Sequence, residues 1–198
     1  MASMGILRTK AIAALAVLVV ALTACETPPP VLSFPDLTYG HHGQMRLNVA
    51  SLEVVSEYRS PMAKPHVEHL FPVSSEKALR QWAADRLKPD GLEGVARFVI
   101  IDAPVTETVL KKDETFKGKF TTQQTERYEA VIEATLEIKT AQGSGHAAAR
   151  VSRSITVPED ASLNDREQEW FNLVEALTND FNREMEKQIR QHLVNWLK

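Results

Sequence analysis

Length, composition and charge confine this chain to a few classes of protein. It has 198 residues, of which 43% are hydrophobic and 25% are charged, and this suits a folded globular domain. The formal net charge is -3 without a basic stripe, so nucleic acid is not an expected partner. The single cysteine excludes an intramolecular disulfide, and packing must therefore hold the fold.

The first 24 residues have the layout of a secretory signal. Arg8 and Lys10 form the positive region, and residues 11–24 carry no charge. This apolar run is shorter than the about 20 residues that a membrane-spanning helix needs. A retained transmembrane anchor and a plain secreted product remain as alternatives to the lipid anchor described next.

Cys25 directly follows the apolar run, in the sequence Leu22-Thr23-Ala24-Cys25. These four residues resemble the lipobox of bacterial lipoproteins, in which the cysteine sulfur takes a diacylglycerol before cleavage. The resemblance implies a signal peptide at residues 1–24 and a mature chain that begins at Cys25 and carries acyl chains such as palmitate. Two or more acyl chains make membrane attachment effectively permanent. Glu26 replaces the aspartate that retains enterobacterial lipoproteins in the inner membrane, which favours an outer-membrane, periplasm-facing protein.

Residues 25–43 are predicted to form a lipidated tether rich in proline. Its prolines are Pro28, Pro29, Pro30 and Pro35. They oppose helix formation and strand pairing and favour an extended, semi-rigid chain. A free tether of this kind would lift the domain some 50 Å from the bilayer, at about 3.1 Å per residue. The alternative is that residues 31–34 dock on the domain.

Residues 44–198 are predicted to form one domain, beginning with a strand over 45–58. The apolar alternation in this strand slips, which indicates a bulge near Ala50 or Ser51. After a loop with three prolines, a helix begins near Ser74 or Ser75, either of which can cap it. The side of this helix predicted to be buried holds Leu79, Trp82, Ala83 and Leu87.

Three further strands and a helix are predicted along the rest of the chain. The strands cover 99–110, with Pro104 at an edge or a bulge, then 128–139 and 147–157. Residues 111–127 are predicted to be a polar excursion between the first two of these strands. The last element is an amphipathic helix over 164–197.

The final helix shows apolar residues at intervals of three and four. Its stripe consists of Trp170, Val174, Leu177, Phe181, Met185, Ile189, Leu193 and Trp196. Glu167 is predicted to complete a capping box at its start. The whole order, β-α-β-β-β-α, predicts an α+β fold with a single, mostly antiparallel four-stranded sheet and two helices on one face.

The sequence Ser74-Ser75-Glu76-Lys77 matches the S-x-x-K pattern of penicillin-recognising serine enzymes. Two segments approach the companion motifs of those enzymes: Ser162-Leu163-Asn164 and Lys139-Thr140-Ala141. The second lacks its glycine, and the two occur in the wrong order along the chain. Helix capping by Ser74 or Ser75 is the structural alternative, and no catalytic residue is assigned.

Histidines offer the other candidate chemistry. His66, Glu68 and His69 lie close in sequence, as do His41 and His42. A metal site needs at least three converging groups with fixed geometry. Since Pro65 and Pro72 interrupt the first group, these residues are interpreted as surface histidines, and no metal or cofactor site is predicted.

Arg153 interrupts the apolar side of the last strand. A buried guanidinium must be paired, and Asp102 on the neighbouring strand is one possible partner. A bulge that turns Arg153 outward and a ligand-binding role are the alternatives.

The last helix, at about 50 Å, exceeds the predicted strands, which reach about 33 to 43 Å. An overhang would offer Val194, Trp196 and Leu197 to a partner. The alternative is that these residues close the open end of the sheet.

The order of elements behind a lipidated cysteine resembles two families of bacterial lipoproteins. One is the small lipoprotein of the outer-membrane lipopolysaccharide translocon, and the other is the auxiliary lipoprotein of ABC-type lipid-transport systems. The pair Trp82-Ala83, with Leu87, resembles a Trp-Ala-containing helix of the second family. The resemblance implies a non-enzymatic adaptor or stability factor in an envelope transport complex, without a small-molecule substrate. Only Cys25 is carried over as a functional residue. A serine-lysine hydrolase acting on the cell wall and a freestanding lipid carrier are the competing hypotheses.

Overall fold

Two helices pack on a twisted sheet in this computed structural model, which describes residues 33–111 and 123–198. The strands are β1 (Met45–Leu47), β2 (Ser51–Ser56), β3 (Leu87–Pro89), β4 (Val95–Asp102), β5 (Val105–Val109), β6 (Gln124–Thr140) and β7 (Gly143–Pro158). The helices are α1 (Ser75–Arg86) and α2 (Leu163–His192), and short 3-10 turns span Gly40–His42, Glu68–Leu70 and Val194–Trp196. The fold is therefore α+β, as predicted.

The main sheet differs from the predicted one in strand number and in one pairing. It has five strands, ordered β2, β4, β6 and β7, with β5 pairing the same edge of β6 as β4. The β2–β4 pair is parallel, whereas β6 is antiparallel to β4, β5 and β7. A second sheet of two parallel strands joins β1 to β3. The prediction of a single four-stranded sheet was wrong on these two points.

The predicted first strand is split between the two sheets, where a bulge was expected. The N–H groups of Asp90 and Gly91 donate to the carbonyls of Leu47 and Val49, both at 2.8 Å. This pairing holds β1 beside β3, and the chain then crosses to begin β2. A Cβ on Gly91 would lie 2.5 Å from the backbone of Asn48, so only glycine allows this close approach.

The predicted strand over 99–110 is also divided. Its pairing with β6 shifts register between Ile100 and Asp102, and it breaks between β4 and β5 at Ala103 and Pro104. Proline has no N–H to donate, although its carbonyl still accepts from Val131 N–H at 3.0 Å. The predicted irregularity at Pro104 is thus confirmed, and it turns one expected strand into two.

Both helices have serine caps. The Ser74 hydroxyl accepts from Lys77 N–H at 3.3 Å and begins α1, which confirms the predicted start. Ser162 caps α2 in a capping box with Asp165. The choice of Glu167 was wrong because the third helical position, from which a side chain reaches back to the cap N–H, belongs to Asp165.

The two helices lie on one face of the main sheet, as predicted. Helix α2 packs mainly on β7 and β6, while α1 contacts β2, β4 and β6. Trp82 of α1, Phe98 of β4 and Phe181 of α2 are all fully buried where these elements meet. Trp82 and Phe181 stack edge to face with ring centroids 5.1 Å apart. The centre of the domain is therefore a packed aromatic core.

Candidate functional site

The most distinctive arrangement in the described residues is the docking of residues 34–43, the N-terminal segment, between the two helices. Phe34 stacks on Phe171 of α2, with ring centroids 5.2 Å apart. Leu37 and Tyr39 are buried in the core, and Tyr39 N–H donates to Asp85 of α1 at 2.7 Å. The segment thus follows α1 from its beginning to its end.

Arg86 fastens the end of this segment. Its side chain is 1% exposed and donates to the backbone carbonyls of His42 and Gly43. Its Nε donates to the Asn182 amide oxygen at 2.9 Å, and its Nη2 contacts Glu186 at 2.6 Å. The guanidinium therefore ties the N-terminal segment, α1 and α2 together through charge-assisted hydrogen bonds.

Asn182 of α2 is the residue to which both Arg86 and Trp82 of α1 donate. It is 3% exposed, and its amide oxygen also accepts from Trp82 Nε1–H at 2.9 Å. Sequence reasoning missed Arg86 and Asn182, although a signal was present for Arg86. It lies four residues after Trp82 and seven after Leu79, on the stripe of α1 predicted to be buried.

Of residues 31–34, which were expected to dock in the alternative to a free tether, Phe34 docks on α2, and residues 31 and 32 lie outside the described residues. The docking continues through residue 43 of the predicted tether. The predicted signal peptide at residues 1–24, the lipid-attachment residue Cys25 and the rest of the tether lie outside the described residues. Any free part of the tether can therefore extend no further than residue 33. The segment between Cys25 and the domain is much shorter than the predicted tether.

Ser74 and Lys77 have local structural roles. The Ser74 hydroxyl accepts from the backbone of Lys77, and Lys77 Nζ points to Asp36 of the N-terminal segment, 3.8 Å away. Of the two companion segments, Ser162 caps α2, and the Thr140 hydroxyl donates to the Gly143 carbonyl at the hairpin turn. Ser74 thus acts in the way the structural alternative describes.

The candidate metal ligands do not form a cluster in the part of the chain that is described. No group of three or more His, Cys, Asp or Glu side chains converges within residues 33–111 and 123–198. The rings of His41 and His42 lie side by side, with their centroids 4.0 Å apart and their planes tilted by 42°. Burial lowers the pKa of His42, and the neighbouring His41 and Arg86 act in the same direction.

Glu68 is a buried carboxylate that sequence reasoning considered only as a metal ligand. It is 3% exposed, accepts from the Tyr58 hydroxyl at 2.5 Å and accepts from Val105 N–H at 3.2 Å. Burial acts to raise the pKa of Glu68, but hydrogen bonds from Ser60, Tyr58 and Val105 outweigh burial and hold this pKa below its usual value. The carboxylate joins the loop before α1 to the sheet.

Replacing this carboxylate should produce a pH-dependent loss of stability. We expect Glu68→Gln to lower the free energy of unfolding by about 1.5 kcal/mol at pH 7, because hydrogen bonds to a charged acceptor are lost. The contribution of Glu68 is complete above the unfolded-state pKa, about 4.3, and is lost as the pH falls through the lower folded-state pKa. Urea unfolding from pH 7 to pH 3 should therefore show the two proteins converging in acid.

The control for this measurement is Glu53→Gln. Glu53 is exposed on β2, so its replacement removes one negative charge without disturbing a buried hydrogen bond. The expected change at pH 7 is within about 0.5 kcal/mol. Equal effects of the two substitutions at pH 7 would contradict the structural role of Glu68.

Arg153 pairs with a different partner from the predicted one. Its Nε donates to Asp180 of α2, and its side chain is 46% exposed. Asp102 instead lies 4.0 Å from Arg150 on the opposite face of the sheet. The prediction of a buried pair with Asp102 was wrong because residues 150 and 153 of β7 point to opposite faces. The prediction that Arg153 pairs with a carboxylate of the fold is confirmed.

The C-terminal residues close the end of the sheet near the β6–β7 turn. Leu197 bridges to Leu47, and Trp196 lies so close to Gly145 that a Cβ there would be 2.5 Å from its ring. Helix α2 ends at His192, short of the predicted 197, and Val194 is 60% exposed. The alternative to an overhang, in which these residues close the open end of the sheet, is therefore confirmed for Trp196 and Leu197.

Two open depressions flank this end of the sheet. The first, about 420 Å³, is lined by residues 137–139 and 144–146, and the second, about 400 Å³, includes Asn48, Thr140 and Asn195.

Among the described residues, no helix is both long enough and apolar enough to cross a membrane.

Comparisons with known proteins give remote structural similarity only. The sequence matches no family model and no curated protein. A solved structure of a minor lipoprotein from Acinetobacter baumannii is similar at 14% identity and a TM-score of 0.39, over 72% of this chain and 92% of that one. Rare lipoprotein B from Shewanella oneidensis is similar at 13% identity and a TM-score of 0.37, over 73% of this chain and 97% of that one. These values are too low to transfer a function, so the proposals below depend on this chain's own residues.

Proposed function

We propose that this protein is anchored in a bacterial envelope membrane through lipid on Cys25 and acts as a non-enzymatic adaptor in an envelope lipid or lipopolysaccharide transport complex. The observation that carries the anchor is the sequence Leu22-Thr23-Ala24-Cys25 at the end of an uncharged run behind Arg8 and Lys10. The cysteine is the single thiol of the chain, so its lipidation competes with no disulfide.

The docked N-terminal segment supports an adaptor that is held near the membrane. Phe34 packs on Phe171, and Arg86 binds the carbonyls of residues 42 and 43. At most residues 26–33 therefore separate Cys25, which carries the proposed lipid, from the docked segment. A short connection restricts where the domain can go and raises its effective concentration at any partner in the same membrane.

The local roles of Ser74 and Glu68 favour an adaptor over the competing hypotheses. Ser74 accepts the cap hydrogen bond of α1, and Glu68 accepts from Tyr58 and Val105. A lipid carrier would need apolar space between the helices and the sheet, where Trp82, Phe98 and Phe181 are fully buried against one another. The filled core thus supports a domain that binds partners at its surface over one that carries lipid in its interior.

Replacement of Cys25 tests the anchor. We expect Cys25→Ala to release the protein from the membrane fraction almost completely, because no acyl chain can then hold it. The wild-type protein should show the mass of a diacylglycerol-modified N-terminal cysteine, whereas the variant should not. The control is Glu26→Gln, which keeps the thiol and should remain acylated and membrane-bound. An unprocessed N-terminus or a wild-type chain without acyl mass would refute the anchor.

Crosslinking in the native membrane tests the adaptor. A photoreactive residue on the exposed face of β6, for example at Thr135, should yield a defined transporter or barrel protein of the envelope. Crosslinks to lipid alone would favour the freestanding carrier. Labelling by a penicillin-type probe that is abolished in Ser74→Ala would favour the serine-lysine hydrolase.

A further inference from the structure

Strand β7 forms one edge of the main sheet. It pairs with β6 along its whole length, and no other strand of residues 33–111 and 123–198 pairs with it. It has 16 residues, whereas β2 at the other edge has six, most of them half-buried. A long edge strand is a template for pairing with another chain, because its outward backbone groups have no partner strand.

The hydrogen bonds of the sheet show which residues of β7 direct their backbone groups outward. Val131 N–H donates to the Pro104 carbonyl at 3.0 Å, so the backbone groups of Val131 point away from β7. Its partner in the register, Ser152, therefore points away from β6, because opposite residues of an antiparallel pair face each other or face outward together. This direction alternates along a strand, and the outward residues of 144–152 are Ser144, His146, Ala148, Arg150 and Ser152. These residues are called the free edge.

The free edge is exposed to solvent. All of its residues are exposed, whereas residues 131, 133, 135 and 137 of β6 on the same face of the sheet are half-buried between neighbouring strands. It also lies away from the place where the chain enters β6. Ser152 pairs with Val131, which lies roughly 23 Å along β6 from its first residue, Gln124. No described segment therefore covers the free edge.

Residues 144–152 lack the features that commonly prevent strand pairing at an edge. They contain no proline and no lysine, and their pairing with β6 runs without a register shift. Residues 144, 145, 147, 148, 149 and 152 are glycine, alanine or serine, so most side chains here are small. Arg153, a charged residue on the face toward the helices, comes directly after this stretch. A further strand can therefore approach the backbone of residues 144–152.

The outer face of the main sheet, opposite the helices, carries rows of side chains that alternate in charge from strand to strand. By register, one row consists of Glu53 of β2, Arg97 of β4, Glu137 of β6 and His146 of β7. In a second row, Glu133 of β6 pairs with Arg150 of β7. Opposite charges on neighbouring strands stabilise a sheet, and like charges directly opposite destabilise it. Both rows end at the free edge on a basic residue, so an acidic side chain complements each of them.

The row between these two is uncharged. It consists of Val55, Val99, Thr135 and Ala148. A β-branched residue such as threonine or valine suits the next position in this row. Since side chains on one face of a strand recur every second residue, the complementary strand has the spacing Glu-x-Thr-x-Glu, where x is an uncharged residue.

Arg150 can bind a carboxylate on its outward side. Its side chain is 58% exposed, and it meets Glu133 and Asp102 through Nη1. A guanidinium has five N–H donors in a fixed fork, so one carboxylate neighbour does not saturate it.

A second copy of this chain does not fit the free edge. Helix α2 packs mainly on β7, so two copies joined edge to edge would carry their α2 helices above neighbouring strands. Neighbouring strands lie about 4.8 Å apart, whereas packed helices need about 8–10 Å. Strand β7 also has no acidic residue, so a second β7 offers no carboxylate to His146 and Arg150.

We propose that the free edge of β7 binds one extended strand of a partner protein, with acidic side chains opposite His146 and Arg150 and an uncharged β-branched side chain opposite Ala148. Main-chain hydrogen bonds supply the affinity of such an added strand, and its side chains supply the specificity. As the contact between the adaptor and its partner, this strand addition rests on the proposed function, but it does not depend on lipid on Cys25.

A pre-formed strand tests the proposal on the full chain in detergent micelles. The probe is a fluorescein-labelled, head-to-tail cyclised β-hairpin peptide whose outer strand reads Glu-x-Thr-x-Glu, and the matched peptide has lysine at both glutamate positions. Cyclisation lowers the entropic cost of ordering the strand. Fluorescence anisotropy should show saturable binding of the glutamate peptide. The lysine peptide should bind about tenfold more weakly, because like charges replace opposite charges at two positions.

Substitutions at the free edge locate the binding site. Ala148→Pro removes an outward N–H but no hydrogen bond to β6, so it should weaken binding about tenfold or more and leave the melting temperature unchanged. Ala148→Thr keeps this N–H and should bind within about twofold of the wild-type protein. Arg150→Glu should reverse the preference, so that the lysine peptide binds more tightly than the glutamate peptide.

Several results would overturn the proposal. They are no binding of the glutamate peptide, equal affinity for both peptides, and unchanged binding by Ala148→Pro. A lowered melting temperature of Ala148→Pro would also overturn it, because the N–H of residue 148 would then be bonded within the sheet. Sedimentation equilibrium that shows a dimer which Ala148→Pro dissociates would replace the partner strand by a second copy. Each of these results leaves the adaptor itself to the crosslinking experiment, which detects a partner at any contact near Thr135.

Discussion

Replacing Arg86 with alanine should destabilise the domain by about 3 kcal/mol, at the lower end of the cost of breaking a buried ion pair. The guanidinium is 1% exposed, whereas its partner Glu186 is 28% exposed and can recover part of its hydration. The substitution also leaves the Asn182 amide and the carbonyls of residues 42 and 43 short of a donor. Chemical denaturation at pH 7 measures the loss.

Arg80→Ala is the control for Arg86→Ala on the same helix. Arg80 pairs with Glu76 at 3.0 Å, but its side chain is 46% exposed, so its loss should cost less than about 0.5 kcal/mol. Hydrogen exchange gives a second readout, since Tyr39 N–H donates to Asp85 only while the N-terminal segment is docked. Faster exchange of Tyr39 in Arg86→Ala and not in Arg80→Ala is expected. Equal stability of the two variants would contradict the role of Arg86.

Arg86 also shows why sequence reasoning could predict helix α1 but not the contacts that this helix makes through Arg86. The serine cap and the apolar spacing are local signals, and both are present in the chain between Ser74 and Arg86. The partners of the guanidinium are not local, because they come from residues 42 and 43 and from α2, about 100 residues away. A charged residue on a buried stripe was the signal, but it does not name the partner.

The sheet illustrates the same limit. Strands β6 and β7 were predicted well because one face is wet and one is buried, so their side chains alternate. The division of residues 45–58 between two sheets depends on β3 and Gly91, which pair with that region from some forty residues downstream. Whether a segment forms a strand depends on such distant pairing partners. A break in the alternation of apolar and polar residues therefore does not distinguish a β-bulge from a chain that crosses between two sheets.

The candidate functional residues also differ in how much of their role could be predicted from the sequence. The role of Cys25 stays a prediction, and it could be made because processing signals are read from the unfolded chain, where linear sequence is sufficient. Arg153 was correctly expected to be paired, but its partner Asp180 lies on a helix, and the prediction considered only a neighbouring strand. Glu68 was considered as a ligand because its neighbours are histidines, whereas Tyr58 and Val105 approach it in the fold.

Truncation of Phe181 should have the largest effect on stability. Its ring is fully buried and meets Trp82 at 5.1 Å and Phe98 at 6.4 Å, both edge to face, so it joins α1, α2 and β4. Phe181→Ala should cost about 3–5 kcal/mol, because a cavity remains where three elements meet. The melting temperature and the denaturation midpoint should both fall, since the surrounding rings can collapse only in part.

Two further substitutions separate the cavity from other effects at this position. Phe181→Leu keeps an apolar side chain of intermediate volume and should cost clearly less than Phe181→Ala. Leu163→Ala removes a side chain that is 66% exposed on the same helix and should change stability by less than about 0.5 kcal/mol. If Phe181→Ala proved as mild as Leu163→Ala, the aromatic centre would not be the element that holds the helices on the sheet, and the docked N-terminal segment would have to carry that role.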